Sequence, residues 1–299
     1  MTITTVLDMT RRSEYEDWSS LRNYLARQLV AGRIALVLGA GTSSHFGLPD
    51  WRKLIANLYA RHGDVPPDKR DSIQAEEFRH KYHSRNPDSF LAEVKETLYD
   101  GVSVGFDQMM SHYTLSGILS MLLAAGVGSR TEVVTFNWDN LLEKYLSLHG
   151  RVVVPVYEEK HWAQSADVTI FHPHGYLPYK DDTTRSEKVV FDQFSYDEIM
   201  GSDTIWKHVL LGLFRTRTCV LIGLSGDDPN LSALLLRVKD QHASFGASTL
   251  FWAVTFTTKE ASREAWEERG VYPVVLGDYT DLPPRLFDIT QSAVLLRSK

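Results

Sequence analysis

The sequence lacks the features that mark several common classes of protein. It has a single cysteine, Cys219, which excludes an intrachain disulfide and any metal site built from several thiolates. No stretch comes near the roughly 18 uninterrupted apolar residues of a membrane span. The first residues, MTITTVLDMTRRSEYEDW, lack the apolar segment of a secretory signal. We therefore expect a cytoplasmic protein without a membrane partner.

An excess of basic charge is missing as well. The formal net charge is −6, so the chain as a whole does not attract nucleic acid, and we expect no direct nucleic-acid partner. The composition is otherwise ordinary, with 43% hydrophobic and 23% charged residues, which is enough apolar material for a substantial core.

Short apolar runs alternate with amphipathic segments along the chain. The runs predicted as strands are residues 34–38, 132–136, 168–172, 219–222, 249–255 and 271–276. Helical periodicity lies between them, and this alternation predicts an α/β fold with a doubly wound, mostly parallel Rossmann-like sheet. Residues 61–110 and 183–217 are polar and predicted to be largely helical. We interpret them as a helical insertion packed on the core of a single domain, residues 1–299.

Several predicted strands end in loops that carry Gly, Asn, Asp or His. In open parallel sheets, ligands bind outside the carboxyl ends of the strands. The first such loop consists of Gly39, Ala40, Gly41, Thr42 and Ser43. Its glycines allow close approach to a phosphate, and its hydroxyls can reach phosphate or ribose oxygens. The third glycine of the dinucleotide fingerprint is absent, because position 44 is a serine, and no Walker lysine follows. A glycine turn that only serves backbone geometry is the alternative.

The longer segment GAGTSSHFGLPDWR, residues 39–52, resembles the signature of the sirtuins, the silent information regulator enzymes. The residues that coincide are Gly39, Gly41, Ser43, Gly47, Pro49, Asp50 and Arg52, with like-for-like residues at Leu48 and Trp51. The resemblance implies that this whole loop, from Gly39 through Asp50, binds NAD⁺. It further implies that Trp51 covers the nicotinamide side and that Arg52 contacts phosphate or ribose.

The string TFNWD, residues 135–139, resembles the sirtuin T-Q-N-[IV]-D element. An amide at Asn137 suits a water or ribose hydroxyl, and a carboxylate at Asp139 suits the nicotinamide carboxamide or a cationic sugar. Alternatively, both residues cap the helix that follows. Phe136 stands where the family has glutamine, which argues against acyl transfer to a peptide and leaves hydrolysis open.

The dipeptide His174-Gly175 resembles the sirtuin H-G pair, whose histidine is the general base. His172, two residues earlier, is the competing candidate. Gly223 and Ser225, with Asp227, resemble the sirtuin G-[TY]-S loop that touches the cofactor, although a tight turn would use the same residues. Tyr279 lies where the family contacts adenine, and it is either a stacking partner or a packing residue.

The two CxxC pairs that hold zinc in sirtuin deacylases are absent, so we expect no zinc. In this the chain resembles the zinc-free, sirtuin-like proteins of bacterial antiphage systems. The resemblance implies a glycohydrolase that splits NAD⁺ into nicotinamide and ADP-ribose and so depletes an infected cell. It also implies a homo-oligomer controlled by a partner, a HerA-type hexameric ATPase or an Argonaute protein.

Rival interpretations are a deacylase or ADP-ribosyltransferase, which would need a groove for protein substrates, and a non-catalytic NAD⁺ or ADP-ribose sensor. A plain Rossmann dehydrogenase is disfavoured by the missing third glycine.

Overall fold

A computed structural model describes residues 9–84, 88–125, 131–162, 166–180, 185–201, 204–226, 229–244 and 249–298. These residues contain a seven-stranded sheet in which every paired strand is parallel. The strands are β1 (Ile34–Leu38), β2 (Glu132–Thr135), β3 (Val153–Val156), β4 (Val168–Phe171), β5 (Thr218–Ile222), β6 (Ala253–Thr257) and β7 (Val271–Val275). The predicted doubly wound, Rossmann-like sheet is confirmed.

The order of strands across the sheet is β3-β4-β2-β1-β5-β6-β7. The chain enters at β1 in the centre, builds β2 to β4 on one side, and then crosses to build β5 to β7 on the other. The direction of winding therefore reverses between β1 and β5. In sheets of this kind the reversal opens a crevice at the carboxyl ends of the two strands, where ligands bind.

Helices flank both faces of the sheet. They are α1 (Arg12–Glu16), α2 (Trp18–Val30), α3 (Trp51–Arg61), α4 (Asp71–His83), α5 (Asp88–Leu98), α6 (Phe106–Met110), α7 (Tyr113–Ala124), α8 (Leu141–Leu148), α9 (Gln193–Met200), α10 (Ile205–Thr216), α11 (Pro229–Ser244), α12 (Arg263–Glu268) and α13 (Leu282–Arg297). Helices α4 to α6 occupy the first of the two polar stretches, and α9 and α10 occupy the second. Their division from the core as an insertion stays a prediction.

Two apolar clusters form the core, one on each face of the sheet. In β1, Leu36 and Leu38 face the cluster that includes α2, α7 and α13, whereas Ala35 and Val37 face the cluster that includes α10, α11 and α12. Burial on both faces explains why β1 is a continuous apolar run rather than an alternating one. Among the described residues, no helix is both long and apolar enough to cross a bilayer.

The structure differs from the predicted elements at three points. Apolar residues at helical spacing from residue 14 to residue 30 predict one helix, but the helix is interrupted at Asp17, whose carboxylate accepts hydrogen bonds from Ser19 N and Ser20 N and so starts α2. Strand β6 begins at Ala253, later than predicted. Strand β3 was not predicted at all. It is an edge strand containing Pro155, and only an edge tolerates a residue without a backbone N–H.

Candidate active site

The glycine loop packs directly against the loop that follows β5. A Cβ atom at Gly39 would lie 2.4 Å from Leu224 Cδ2, and one at Gly41 would lie 2.8 Å from Gly223 Cα. Gly41 N donates to Gly223 O at 3.0 Å, and Gly223 itself has a φ of +73°. The glycines therefore let two backbones touch at the point where the winding reverses. This packing accounts for them without a ligand, and their contact with phosphate stays a prediction.

The side chain of Asn137, just after β2, is bonded to this glycine loop. Its Nδ2 donates to Gly39 O at 3.0 Å and lies 3.2 Å from Thr42 Oγ1 and 3.1 Å from Ser43 Oγ. The amide nitrogen is thus used to hold the loop. Within the described part of the chain, Oδ1 of Asn137 accepts no hydrogen bond, and its contact with a ligand stays a prediction. Asn137 does not cap α8, so that alternative does not account for it.

Asp139 is buried beneath the same loop. Its Oδ2 accepts from Ser43 Oγ at 2.8 Å, and its Oδ1 accepts from Leu141 N at 3.0 Å, at the start of α8. The residue therefore does cap the helix while it also anchors Ser43. Burial raises the pKa of Asp139, the nearby Glu143 carboxylate raises it further, and the two hydrogen bonds oppose the shift.

The raised pKa of Asp139 makes a pH-dependent prediction. Because the folded state holds this proton more tightly than the unfolded chain, ionising the carboxyl costs stability as the pH rises above about 3.9, the unfolded value. Asparagine cannot ionise. The free energy of unfolding of Asp139→Asn should therefore improve relative to the native chain between about pH 4 and neutrality. Urea denaturation across this range measures it, with the exposed Asp107→Asn as control. A difference in the free energy of unfolding between Asp139→Asn and the native chain that does not change with pH would contradict the raised pKa of Asp139.

His172, the competing candidate for the base, is fully buried. Its Nδ1 lies 3.1 Å from Asn137 O, and its Nε2 lies 2.6 Å from Glu143 Oε1. A backbone carbonyl only accepts, so Nδ1 carries a proton and donates it. The second ring nitrogen shares a proton with the Glu143 carboxylate. With both nitrogens engaged and no exposure, His172 fixes the position of Asn137 and is not an accessible base.

Glu143 is a residue that the sequence analysis missed. It lies on α8 among the buried residues Leu141, Leu142, Tyr145 and Leu146. A carboxylate on the apolar face of a helix is the signal that could have found it, because a buried acid needs a partner. The fold supplies that partner as His172, the residue that follows β4.

His174 lies on a loop that is fastened to the one after β2. Leu177 N donates to Trp138 O at 2.7 Å, and Tyr179 N donates to Asn140 Oδ1 at 2.8 Å. The half-buried ring of His174 lies 4.7 Å from the ring of Phe136, the residue next to Asn137. The structure thus brings the loops after β1, β2, β4 and β5 together, with His174 at the margin beside Phe136.

The remaining residues of the sirtuin-like segment lie at the start of α3. The half-buried Trp51 ring packs edge-on against Trp138 at 5.8 Å and Phe191 at 5.2 Å. Asp50 Oδ1 accepts from Lys53 N and caps the helix. The Arg52 side chain is 82% exposed, and its Nε lies 3.5 Å from Asp71 Oδ2. Thus the Trp51 ring packs in an aromatic cluster with Trp138 and Phe191, whereas Arg52 faces solvent.

The last predicted contacts are spread along the same edge of the sheet. Ala40 and Ser225 are exposed, Pro49 is half-buried, and Tyr279, beyond β7, is 55% exposed. Asp227 lies outside the described residues. Within the described chain, no hydrogen bond joins Asn137 to any of the four described residues. Their contact with a ligand stays a prediction.

A cavity of about 190 Å³ adjoins the His174 loop. Its described lining includes Pro173, Gly175, Tyr157 and Trp206, and neither Asn137 nor the glycine loop is part of that lining. It is smaller than the roughly 300–1,000 Å³ of typical ligand pockets.

Comparison with known proteins identifies relatives of the chain. The sequence model of a family described as "SIR2-like domain" matches residues 131–274. The chain is 22% identical over 219 residues to the NAD(+) hydrolase ThsA of Acinetobacter baumannii (strain 532279), covering 72% of this chain and 41% of that protein. It is 22% identical over 268 residues to the uncharacterized protein y4cA of Sinorhizobium fredii (strain NBRC 101917 / NGR234), covering 84% and 21%. The chain thus spans about two fifths and one fifth of the lengths of these curated relatives.

A solved structure shares the fold. It is the crystal structure of a Sir2 homolog–NAD complex, with a TM-score of 0.50 over 92% of this chain and 94% of that one. The two sequences are 11% identical, so the likeness concerns the arrangement of the backbone. Together with the family match, it confirms the resemblance to the sirtuin-like family; the matched residues 131–274 include the segments 135–139 and 174–175 and not the segment 39–52.

Proposed function

We propose that this chain, whose residues 131–274 match the model of the SIR2-like domain, binds NAD⁺ and hydrolyses the bond between nicotinamide and ribose. The observation that carries the proposal is the bonding of Asn137 Nδ2 to Gly39 O and the loop hydroxyls, which leaves Oδ1 to face a ligand. Similarity to a protein named NAD(+) hydrolase supports the choice of reaction.

In the proposed reaction, water oxygen bonds to the anomeric carbon of the ribose as the carbon–nitrogen bond to nicotinamide breaks. The bond's electron pair leaves with nicotinamide, which is already a cationic pyridinium and departs neutral, so no general acid is needed. The products are ADP-ribose, nicotinamide and one proton. The site has only to orient a water, accept its proton and tolerate a positively charged ribose.

Each role falls to a residue at the junction of the loops. Asn137 Oδ1 accepts a hydrogen bond from the attacking water and directs its lone pair toward the sugar. His174 accepts the proton that this water loses. Asp139 fixes the hydroxyl of Ser43 through their 2.8 Å hydrogen bond and supplies negative charge behind the cationic ribose. The Trp51 and Phe136 rings form apolar walls for the nicotinamide.

The test is to incubate the purified chain with NAD⁺ and to measure nicotinamide and ADP-ribose by chromatography. The native chain should release both in equal amounts. Asn137→Ala should lower the rate more than about 10²-fold, the size of effect seen when one preorganised polar group is removed. The exposed Asn23→Ala, on α2, is the matched control and should keep the native rate.

Two outcomes would replace the proposal. Tight NAD⁺ binding without any nicotinamide release would make the chain a sensor. Release that depends on an added acyl-lysine peptide would make it a deacylase.

The proposal includes a biological role for the chain. By its resemblance to zinc-free antiphage proteins, the chain would act in the cytoplasm as a homo-oligomeric effector of antiphage defence that depletes NAD⁺, restrained by a HerA-type ATPase or an Argonaute protein. Light scattering of the purified chain tests whether it forms a homo-oligomer. We expect a mass of several chains, and a monomer at assay concentration would contradict it.

A further inference from the structure

A second cluster of ionisable side chains lies in the helices that follow the glycine loop. It consists of His62, at the end of α3, His83, at the end of α4, and Glu93, on α5. One ligand atom from each lies within 4.8 Å of the others. The cluster is at the opposite end of α3 from Trp51, which at 1.5 Å per residue is roughly 16 Å away. It is therefore separate from the candidate active site.

Glu93 is placed between the two imidazoles. Its Oε1 lies 2.9 Å from His62 Nε2, and its Oε2 lies 2.9 Å from His83 Nε2. Arg61 also approaches, with Nε 3.7 Å from Glu93 Oε1, while its Nη2 pairs with Glu96. Two imidazole nitrogens and a carboxylate oxygen converging on one point are a donor set that zinc accepts.

His83 supplies an independent observation. Its side chain is 4% exposed, and among the described residues Nε2 has no partner that meets the geometry of a hydrogen bond, although Glu93 Oε2 is near. A buried polar nitrogen without a proper hydrogen bond is costly. A metal ion between the nitrogen and the carboxylate would remove that cost.

The surroundings of the two rings fit metal ligands. His83 Nδ1 lies 3.1 Å from Ser89 Oγ, so the second ring nitrogen has a hydrogen-bonding partner, as it has in nearly all metal-binding histidines. The His62 ring stacks on Tyr82 at 3.9 Å with an interplanar angle of 19°, which fixes its orientation. The His62 imidazole is thus held with Nε2 hydrogen-bonded to Glu93, and the His83 imidazole is held with Nε2 2.9 Å from Glu93 Oε2.

We propose that His62, His83 and Glu93 bind one divalent transition-metal ion of the Zn²⁺ class, with a water completing four-coordination. The ion would fasten α3, α4 and α5 to each other. The ligands of this site differ from those of the thiolate module whose absence led us to expect no zinc. The sequence did not indicate it because its three ligands come from three helices without a recognisable spacing.

The test is calorimetric titration of the chelator-treated full chain with Zn²⁺. The native chain should bind one equivalent. His62→Ala and Glu93→Gln should abolish stoichiometric binding, and Ser89→Ala should weaken it about 10- to 100-fold, as removal of the partner of a metal-bound histidine does. His80→Ala is the matched control, an exposed histidine on α4 outside the cluster, and should bind as the native chain does.

Circular dichroism of each variant checks folding, and Co²⁺ provides a measurement that needs no variant. The native chain with Co²⁺ should show the visible absorption of a tetrahedral site, and Zn²⁺ should displace it. No stoichiometric Zn²⁺ binding by the native chain, or undiminished binding by both His62→Ala and Glu93→Gln, would overturn the proposal.

Discussion

Replacing His174 by glutamine is expected to slow nicotinamide release about 10²- to 10⁴-fold, the usual contribution of a positioned general base. Glutamine keeps much of the size and hydrogen-bonding capacity of the imidazole but does not take up a proton. The loop should keep its place, since its bonds to Trp138 O and Asn140 Oδ1 come from the chain beyond His174. NAD⁺ affinity should accordingly change by no more than a few fold, so the loss falls on the catalytic step.

Steady-state rates and a binding titration separate these two effects. The matched control is His208→Gln, a change to an exposed histidine on α10. A His174→Gln chain that turns over NAD⁺ at the native rate would exclude this residue as the base.

Replacing His172 by alanine is expected to lower the free energy of unfolding by about 3–5 kcal/mol, the cost of leaving one member of a buried hydrogen-bonded pair without its partner. The change leaves Glu143 buried with its hydrogen bond to His172 removed, and it takes away the donor to Asn137 O. Glu143 is itself largely buried, with 9% of its side chain exposed, so water cannot readily replace the lost partner.

Urea denaturation of the variant measures the loss, with His208→Ala as control. Replacing both partners, His172→Leu with Glu143→Leu, should recover much of the stability, because no buried polar side chain is left without its partner. The same double variant should stay impaired in nicotinamide release, since Asn137 has lost the contact that positions it. A loss of stability below about 1 kcal/mol in the single variant would contradict a stabilising buried contact between His172 and Glu143.

The fold was largely predictable because the sheet is buried on both faces. Each central strand is then a short apolar run, and five of the six predicted runs lie within a residue of the observed strands. Strand β3 was not predicted because Pro155 interrupts its apolar run, and a proline within a run argues against a strand unless that strand lies at the edge of a sheet. The break before α2 was not predicted because Asp17 fits the polar face of a continuous helix. Only the structure shows that its carboxylate accepts hydrogen bonds from Ser19 N and Ser20 N.

The candidate site was predictable only in part, for a different physical reason. The short sequence motifs indicated which loops form the site, since the carboxyl ends of neighbouring parallel strands lie at one edge of the sheet. They did not show that Asn137 Nδ2 is used within the protein and that only Oδ1 is left for a ligand. The motifs also did not show that His172 pairs with Glu143, because the two residues are 29 positions apart in the sequence. Long-range hydrogen bonds of this kind are set by packing, which no local pattern records.

The central claim is that the loops after β1, β2 and β4 together hold the nicotinamide half of NAD⁺. The most direct test is a crystal structure of the chain with a non-hydrolysable NAD⁺ analogue. We expect the anomeric carbon of the nicotinamide ribose to face Asn137 Oδ1, with the His174 imidazole within reach of one bridging water. An analogue bound elsewhere, or a His174 ring turned away from the sugar beyond that reach, would contradict the account.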